Sequence, residues 1–167
     1  MAEQDLFGGF APKTNESMMH GWIEGASHFY PLLVQFEDTD AGGIVYHANY
    51  LSYAERGRSG WLRLLGISQT EFLENKRHGF VVRKASLDYQ RPARLGDEVI
   101  IETKMISASP VRMRAEQIIR GLAKGQKKIT DGHIFANVEV EIVMVNEQGR
   151  PIRFPSEIYE KMVPSGI

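Results

Sequence analysis

NYLSYAERGRSGWLRLLG, residues 49–66, sets Tyr50, Leu51, Ala54, Gly57, Trp61, Leu64 and Leu65 at three- and four-residue steps. That spacing lines one apolar face of an α-helix. Gly66 stands where a left-handed cap would end it. Gly57 and Gly60 fall inside the helix, where each costs roughly 1 kcal/mol relative to alanine. Such a cost predicts that something presses closely against this face, for instance a sheet wrapping the helix.

The flanking sequence supplies that sheet. Upstream, LLVQFED (32–38) alternates, with Val34 and Phe36 on one side and Gln35 and Glu37 on the other, as in a half-buried strand. Downstream come four more strand-like runs: GFVVRKASLDYQ (79–90), DEVIIETKMIS (97–107), VRMRAEQIIRG (111–121) and HIFANVEVEIVMV (133–145). In the last, Ile134, Ala136, Val138, Val140, Ile142 and Met144 share a face. NEQGRP closes the sheet region, and SEIYEKM (156–162) reads as a short terminal helix capped by Ser156. Short polar connections between the strands predict a mostly antiparallel sheet, and one helix against one sheet is an α+β layer pair. Its outer strands would be exposed edges, a liability that a homo-oligomer removes.

A chain of 167 residues suits one domain. Its net charge of −1 argues against nucleic-acid binding, which usually shows a basic excess on one face. With no cysteine, disulfides, thiolate–zinc sites and a thiol nucleophile are impossible. His20, His28, His78 and His133 are dispersed, without metal-ligand spacing, so neither a metal nor a cofactor is expected. MAEQDLFGGFAPKTNE lacks the basic and apolar regions of a signal peptide, and no apolar run approaches the ~18 residues of a membrane span. A soluble cytoplasmic protein, with no integral membrane association, is the expectation. Residues 1–30 are rich in Gly, Asn, Ser and acidic side chains without a sustained period, and read as a mobile tail preceding a domain over 31–163. Met18, Met19 and Trp22 in that tail could dock on a surface, either this domain's or a partner's.

EDTDAGGIVYHANY (37–50) crowds acid, glycine and imidazole ahead of the helix. A calcium loop matches at Asp38, Asp40 and Gly43 but fails at Gly42 and at Asn49, where a bidentate Glu belongs. A plain turn uses Gly42 and Gly43 for a bend and one aspartate as a turn group. A catalytic reading uses the free N–H groups and partial positive charge of a helix start as an oxyanion cradle, facing a carboxylate held by the bend. Asp40 suits that role, whereas Asp38, nearer the strand, suits a structural one. His47 could bind substrate, orient water or assist the leaving group. No G-x-S-x-G elbow is present.

At this point a family resemblance emerges. VQFEDTDAGGIVYHANYLSYAERGRSGWLRLLGIS (34–68) resembles the signature of the hotdog-fold acyl-CoA thioesterases. Within the 4-hydroxybenzoyl-CoA thioesterase superfamily, it is most similar to the branch found with the Tol-Pal cell-envelope system. The likeness continues through VVRKASLDYQRPARLGDEVIIET (81–103) and HIFANVEVEIVMVNEQGRPIRFP (133–155). It implies a hotdog fold, a long central helix wrapped by a five-stranded, mainly antiparallel sheet. It also implies an acyl-CoA or acyl-carrier-protein substrate and a homodimer or homotetramer.

Carried onto this chain, the family's catalytic carboxylate falls on Asp40, as nucleophile or general base. The helix-start histidine falls on His47, whose backbone N–H would help polarise the thioester carbonyl, with Tyr46 lining the entrance. Family members bind CoA phosphates with basic residues near subunit junctions; Arg83 and Lys84 are the first candidates, then Arg91, Arg94 and Arg112. Related thioesterases place their acid on the central helix, but Glu55 with Arg58 makes an i,i+3 ion pair. Two alternatives compete with hydrolysis: a non-catalytic acyl-thioester or envelope-complex binding subunit, and a hotdog dehydratase acting on a 3-hydroxyacyl thioester.

Overall fold

The computed structural model describes residues 19–75, 77–122 and 128–163. Its strands are β1 (Trp22–Glu24), β2 (Ser27–Leu33), β3 (Gly79–Tyr89), β4 (Glu98–Ser109), β5 (Arg112–Gly121), β6 (Ile134–Val145) and β7 (Pro151–Ile152). The helices are α1 (Asn49–Leu64), α2 (Gln69–Asn75) and α3 (Ser156–Met162). The strands form one antiparallel sheet in the order β1-β2-β4-β5-β6-β3, with β7 added to β6. Five long strands match the expected sheet, and the short β1 and β7 bring the total to seven.

The wrapped helix is borne out. Helix α1 lies on β2, β4, β5 and β6, burying Tyr50, Tyr53, Ala54, Gly57, Gly60 and Trp61 among others. A Cβ added to Gly57 would sit 2.9 Å from Ile101 Cγ2, and one added to Gly60 would sit 2.6 Å from the His20 carbonyl oxygen. Both glycines therefore permit a close approach that alanine would obstruct. Gly66 ends the helix at φ +69°; its N–H donates to the Arg63 carbonyl, and that of Ile67 to the Leu62 carbonyl. This is the Schellman pattern, and Leu62 and Ile67 share one apolar cluster beneath it.

Four local expectations are corrected. Leu51, assigned to the apolar face, is 39% exposed. The buried stripe runs through Tyr50, Tyr53, Ala54 and Gly57, and Leu51 lies one step round the helix from it. The first long strand is Ser27–Leu33 rather than 32–38, and Phe36 is 82% exposed. Beyond Leu33 the Asp38 carboxylate accepts the Gln35 N–H (2.8 Å), winding Phe36–Asp38 into a 3₁₀ turn. The tail assignment for 1–30 fails from Trp22 onward, because β1 and β2 form a hairpin at the sheet edge. Gly25 turns it at φ +60°, while Trp22 and Phe29 stack (5.7 Å) over Ile100 and Ile129. Residues 1–18, with Met18, lie outside the described residues. Finally, Ser156 does not cap α3: it is the first helical residue, Pro155 holds the cap position, and no side chain bonds there.

Helix α2 was not expected from the sequence pattern. Ser68 Oγ accepts the Glu71 N–H (3.2 Å), the S-x-x-E signal of a helix start.

Candidate active site

The acidic bend is a small hairpin whose hydrogen bonds assign different work to its two aspartates. Asp38 is buried; its carboxylate holds Gln35, and its carbonyl accepts the Tyr46 N–H (2.9 Å) and Asn49 Nδ2 (2.9 Å). It is structural, as expected. Thr39 and Val45 pair across the hairpin, the Asp40 N–H donates to the Ile44 carbonyl (2.9 Å), and the Gly43 N–H donates to the Asp40 carbonyl (3.0 Å). Gly43 adopts φ +73°, which closes the tip. Asp40 itself is exposed, and its Oδ1 accepts the Gly42 N–H (2.8 Å). This fixes the carboxyl plane yet leaves Oδ2 without a partner among the described residues. A side chain at Gly42 would press on the anchored Oδ1, since a Cβ there would stand 3.0 Å from it.

The RPAR connection ties this bend to the helix. The Val45 N–H donates to the Ala93 carbonyl (2.8 Å), the Ala93 N–H donates to the Tyr50 hydroxyl (3.0 Å), and Ile44 pairs with Arg94. Burial pushes the Tyr50 phenol up, and the bond from Ala93 offsets this in part. One turn further, Tyr53 is fully buried. Burial first, and then the nearby Asp38 carboxylate, push its phenol up, although its hydroxyl finds no partner at hydrogen-bonding geometry.

Helix α1 opens without an acidic residue in its first turn and without a side-chain cap. The N–H groups of Asn49 and Leu51 are taken by the Tyr46 and Ala48 carbonyls, whereas those of His47 and Ala48 meet no acceptor among the described residues. The positive end of the helix is thus unneutralised and carries open donors. The exposed His47 ring lies against Tyr46 (centroids 4.4 Å), and the His47 carbonyl accepts the Tyr89 hydroxyl (3.0 Å).

Of the predicted site residues, Asp40, Tyr46 and His47 therefore share one bend. Arg83 and Lys84 do not join them. They lie at a bulge in β3, beside Glu141, on the sheet face opposite α1. Arg83 bonds Glu141 and holds its carboxyl below the usual carboxylate range, with Arg112 (3.6 Å) and Lys84 adding to the effect. Among the basic candidates, Arg94 is the one paired with the bend. Glu55 bonds Arg58, as expected, and Arg58 Nη1 donates to the buried Gln117 (2.6 Å). Gln117 Nε2 in turn donates to the Ala54 carbonyl (2.8 Å) and Thr103 (2.9 Å). Glu55 and Arg58 also line a cleft of about 60 Å³ with Trp61, Leu62, Phe80 and Val82. A second cleft of about 440 Å³ lies beside Ser59, Arg63 and Ser68; neither cleft borders Asp40 or His47. The sequence pattern gave no site role to Asn49, Tyr50 or Tyr89, whose bonds to Asp38, Ala93 and His47 form only in the folded chain. Among the described residues no His, Asp or Glu cluster suits a metal, and no helix is long and apolar enough to cross a membrane.

A long helix wrapped by one antiparallel sheet is the hotdog fold. Residues 34–162 match the Thioesterase-like superfamily, and the chain belongs to it. It is 35% identical to acyl-CoA thioesterase YbgC of Haemophilus influenzae over 130 residues, 77% of this chain and 89% of that protein. It is 47% identical to acyl-CoA thioester hydrolase YbgC of Escherichia coli O157:H7 over 78 residues, 47% of this chain and 58% of that protein. Among solved structures, one described as "Probable Thioesterase from Bartonella henselae" is 34% identical, with a TM-score of 0.68 over 78% of this chain and all (100%) of that one. A 4-hydroxybenzoyl CoA thioesterase mutant complexed with 4-hydroxybenzoyl CoA shares the fold, with a TM-score of 0.75 at 16% identity over 83% of this chain and 100% of that one.

Proposed function

We propose that the chain hydrolyses acyl-CoA, or an acyl carrier protein thioester, to the free acid and thiol. Likeness to the YbgC thioesterases across most of one relative's length supports the reaction class. The observation that carries the site is the Asp40 carboxyl, with one oxygen anchored by Gly42 and the other free, on a bend stapled to an open helix start. As general base, Oδ2 takes a proton from water while the water oxygen bonds to the carbonyl carbon. The resulting oxyanion is held by the His47 N–H. Its collapse breaks the C–S bond, and the departing thiolate takes up the proton. Direct attack by Asp40 would instead give a mixed anhydride that water cleaves. Isotope incorporated into the Asp40 carboxyl from labelled water in a single turnover would select that route.

The working form in this reading is a cytoplasmic homodimer or homotetramer of the Tol-Pal-associated branch. Strand β3 is an edge whose free side runs past the helix start, and Asp40 and His47 lie open to solvent until a second copy walls them in. Arg83 and Lys84, on that same edge strand, would then stand at the subunit junction and could meet the CoA phosphates. The test is thiol release from a panel of acyl-CoAs. Asp40→Ala is expected to lower kcat about a hundredfold or more. Full activity in that variant would remove Asp40 from the mechanism, and an inactive wild type would favour a binding subunit or a dehydratase.

A further inference from the structure

The His47 carbonyl lies one residue ahead of Ala48, the cap of α1, and the Leu51 N–H of the first turn donates to the Ala48 carbonyl (3.1 Å). The partner of the His47 carbonyl comes from another element: the Tyr89 hydroxyl, at the end of β3, donates to it at 3.0 Å. Tyr89 has no other bonding partner among the described residues. Its ring is 49% exposed and meets the Tyr50 ring edge-to-face (5.5 Å). Tyr50 is the residue whose hydroxyl holds Ala93, so one aromatic pair links edge strand, helix start and RPAR connection.

We infer that Tyr89 is a positioning residue for thioester hydrolysis, acting through the His47–Ala48 peptide. This rests on the proposed site at Asp40 and the helix start. A peptide whose carbonyl accepts a hydrogen bond becomes a stronger donor at its own N–H, because neighbouring bonds polarise one another. The carbonyl of His47 and the N–H of Ala48 belong to one planar unit. Tyr89 therefore both sharpens the open Ala48 donor and locks the plane next to the His47 N–H, where negative charge develops. A donor already oriented before the reaction stabilises that charge without reorganisation. The sheet edge thereby tunes chemistry at the helix start without touching the substrate.

Tyr89→Phe keeps the ring against Tyr50 and deletes only the hydroxyl, so the fold is expected to survive. In acyl-CoA hydrolysis the variant should lose about three- to tenfold in kcat, the worth of one ordinary hydrogen bond, with KM held within about twofold. In the unliganded protein, the Ala48 amide resonance should shift to the position of a weaker donor. A merely structural tyrosine would alter thermal stability and leave kcat intact. Unchanged kcat in Tyr89→Phe beside an active wild type and an inactive Asp40→Ala would overturn the positioning role while leaving the site standing. An unmoved Ala48 amide would overturn it regardless of activity. Absence of hydrolysis in the wild type would overturn both together.

Discussion

Gly57→Ala tests the contact on which the architecture turns. In an open helix the change would stabilise by roughly 1 kcal/mol through propensity alone. Here the new methyl would stand 2.9 Å from Ile101 Cγ2 and 3.3 Å from Gln117 Nε2. Ile101 is fully buried, and its branched side chain has few rotamers to which it could retreat. Gln117 is pinned by Arg58, Ala54 and Thr103, so displacing it would break buried hydrogen bonds. Overpacking of this kind costs about 1–3 kcal/mol, and a buried polar group left unpaired about 1–3 kcal/mol more. Set against the propensity gain, the net expectation is a loss of about 3 kcal/mol. Urea unfolding at one fixed protomer concentration should show a lower midpoint with an unchanged m-value. A variant as stable as the wild type, or more so, would mean that α1 does not seat tightly on β4 and β5.

Two other outcomes are expected. Burial lowers His28 from 6.5 to about 4, a shift the bond to the His20 carbonyl only partly opposes. Its neutral form is therefore the one that folds. The contribution, about 3 kcal/mol, is fully present above pH ~6.5 and is lost as pH falls toward ~4. The thermal midpoint of His28→Gln should fall less steeply across that window, and parallel curves would refute the assignment. Light scattering at micromolar concentration should report a dimer or tetramer; a monomer would leave the β3 edge and the open site without their second copy.

Much of this protein is legible along the chain because the signals are local. Helical spacing in 49–66, alternation over 111–121 and 133–145 and the Asp40–Gly42–Gly43 bend depend on near neighbours in sequence. Glycine within α1 even announced a close contact before any partner could be named. Helix α2 carries an S-x-x-E start at Ser68, but its apolar period is too short to mark a helix along the chain.

Tertiary structure decided the rest. Polar His28 and the helix-breaking Pro31 blurred the period of β2, so only pairing with β4 gives that stretch its strand conformation. Nothing in VVRKA tells which face of the sheet its cations take; the bulge between Val82 and Lys84 turns both toward Glu141. Tyr89 sits 42 residues from His47, and their bond exists because the edge strand runs back past the helix start. Local periodicity sets which surfaces are apolar, whereas register and long-range hydrogen bonds set which residues finally meet. A catalytic bend can be spelled in one short stretch, but the groups that orient its donors arrive from strands far along the chain.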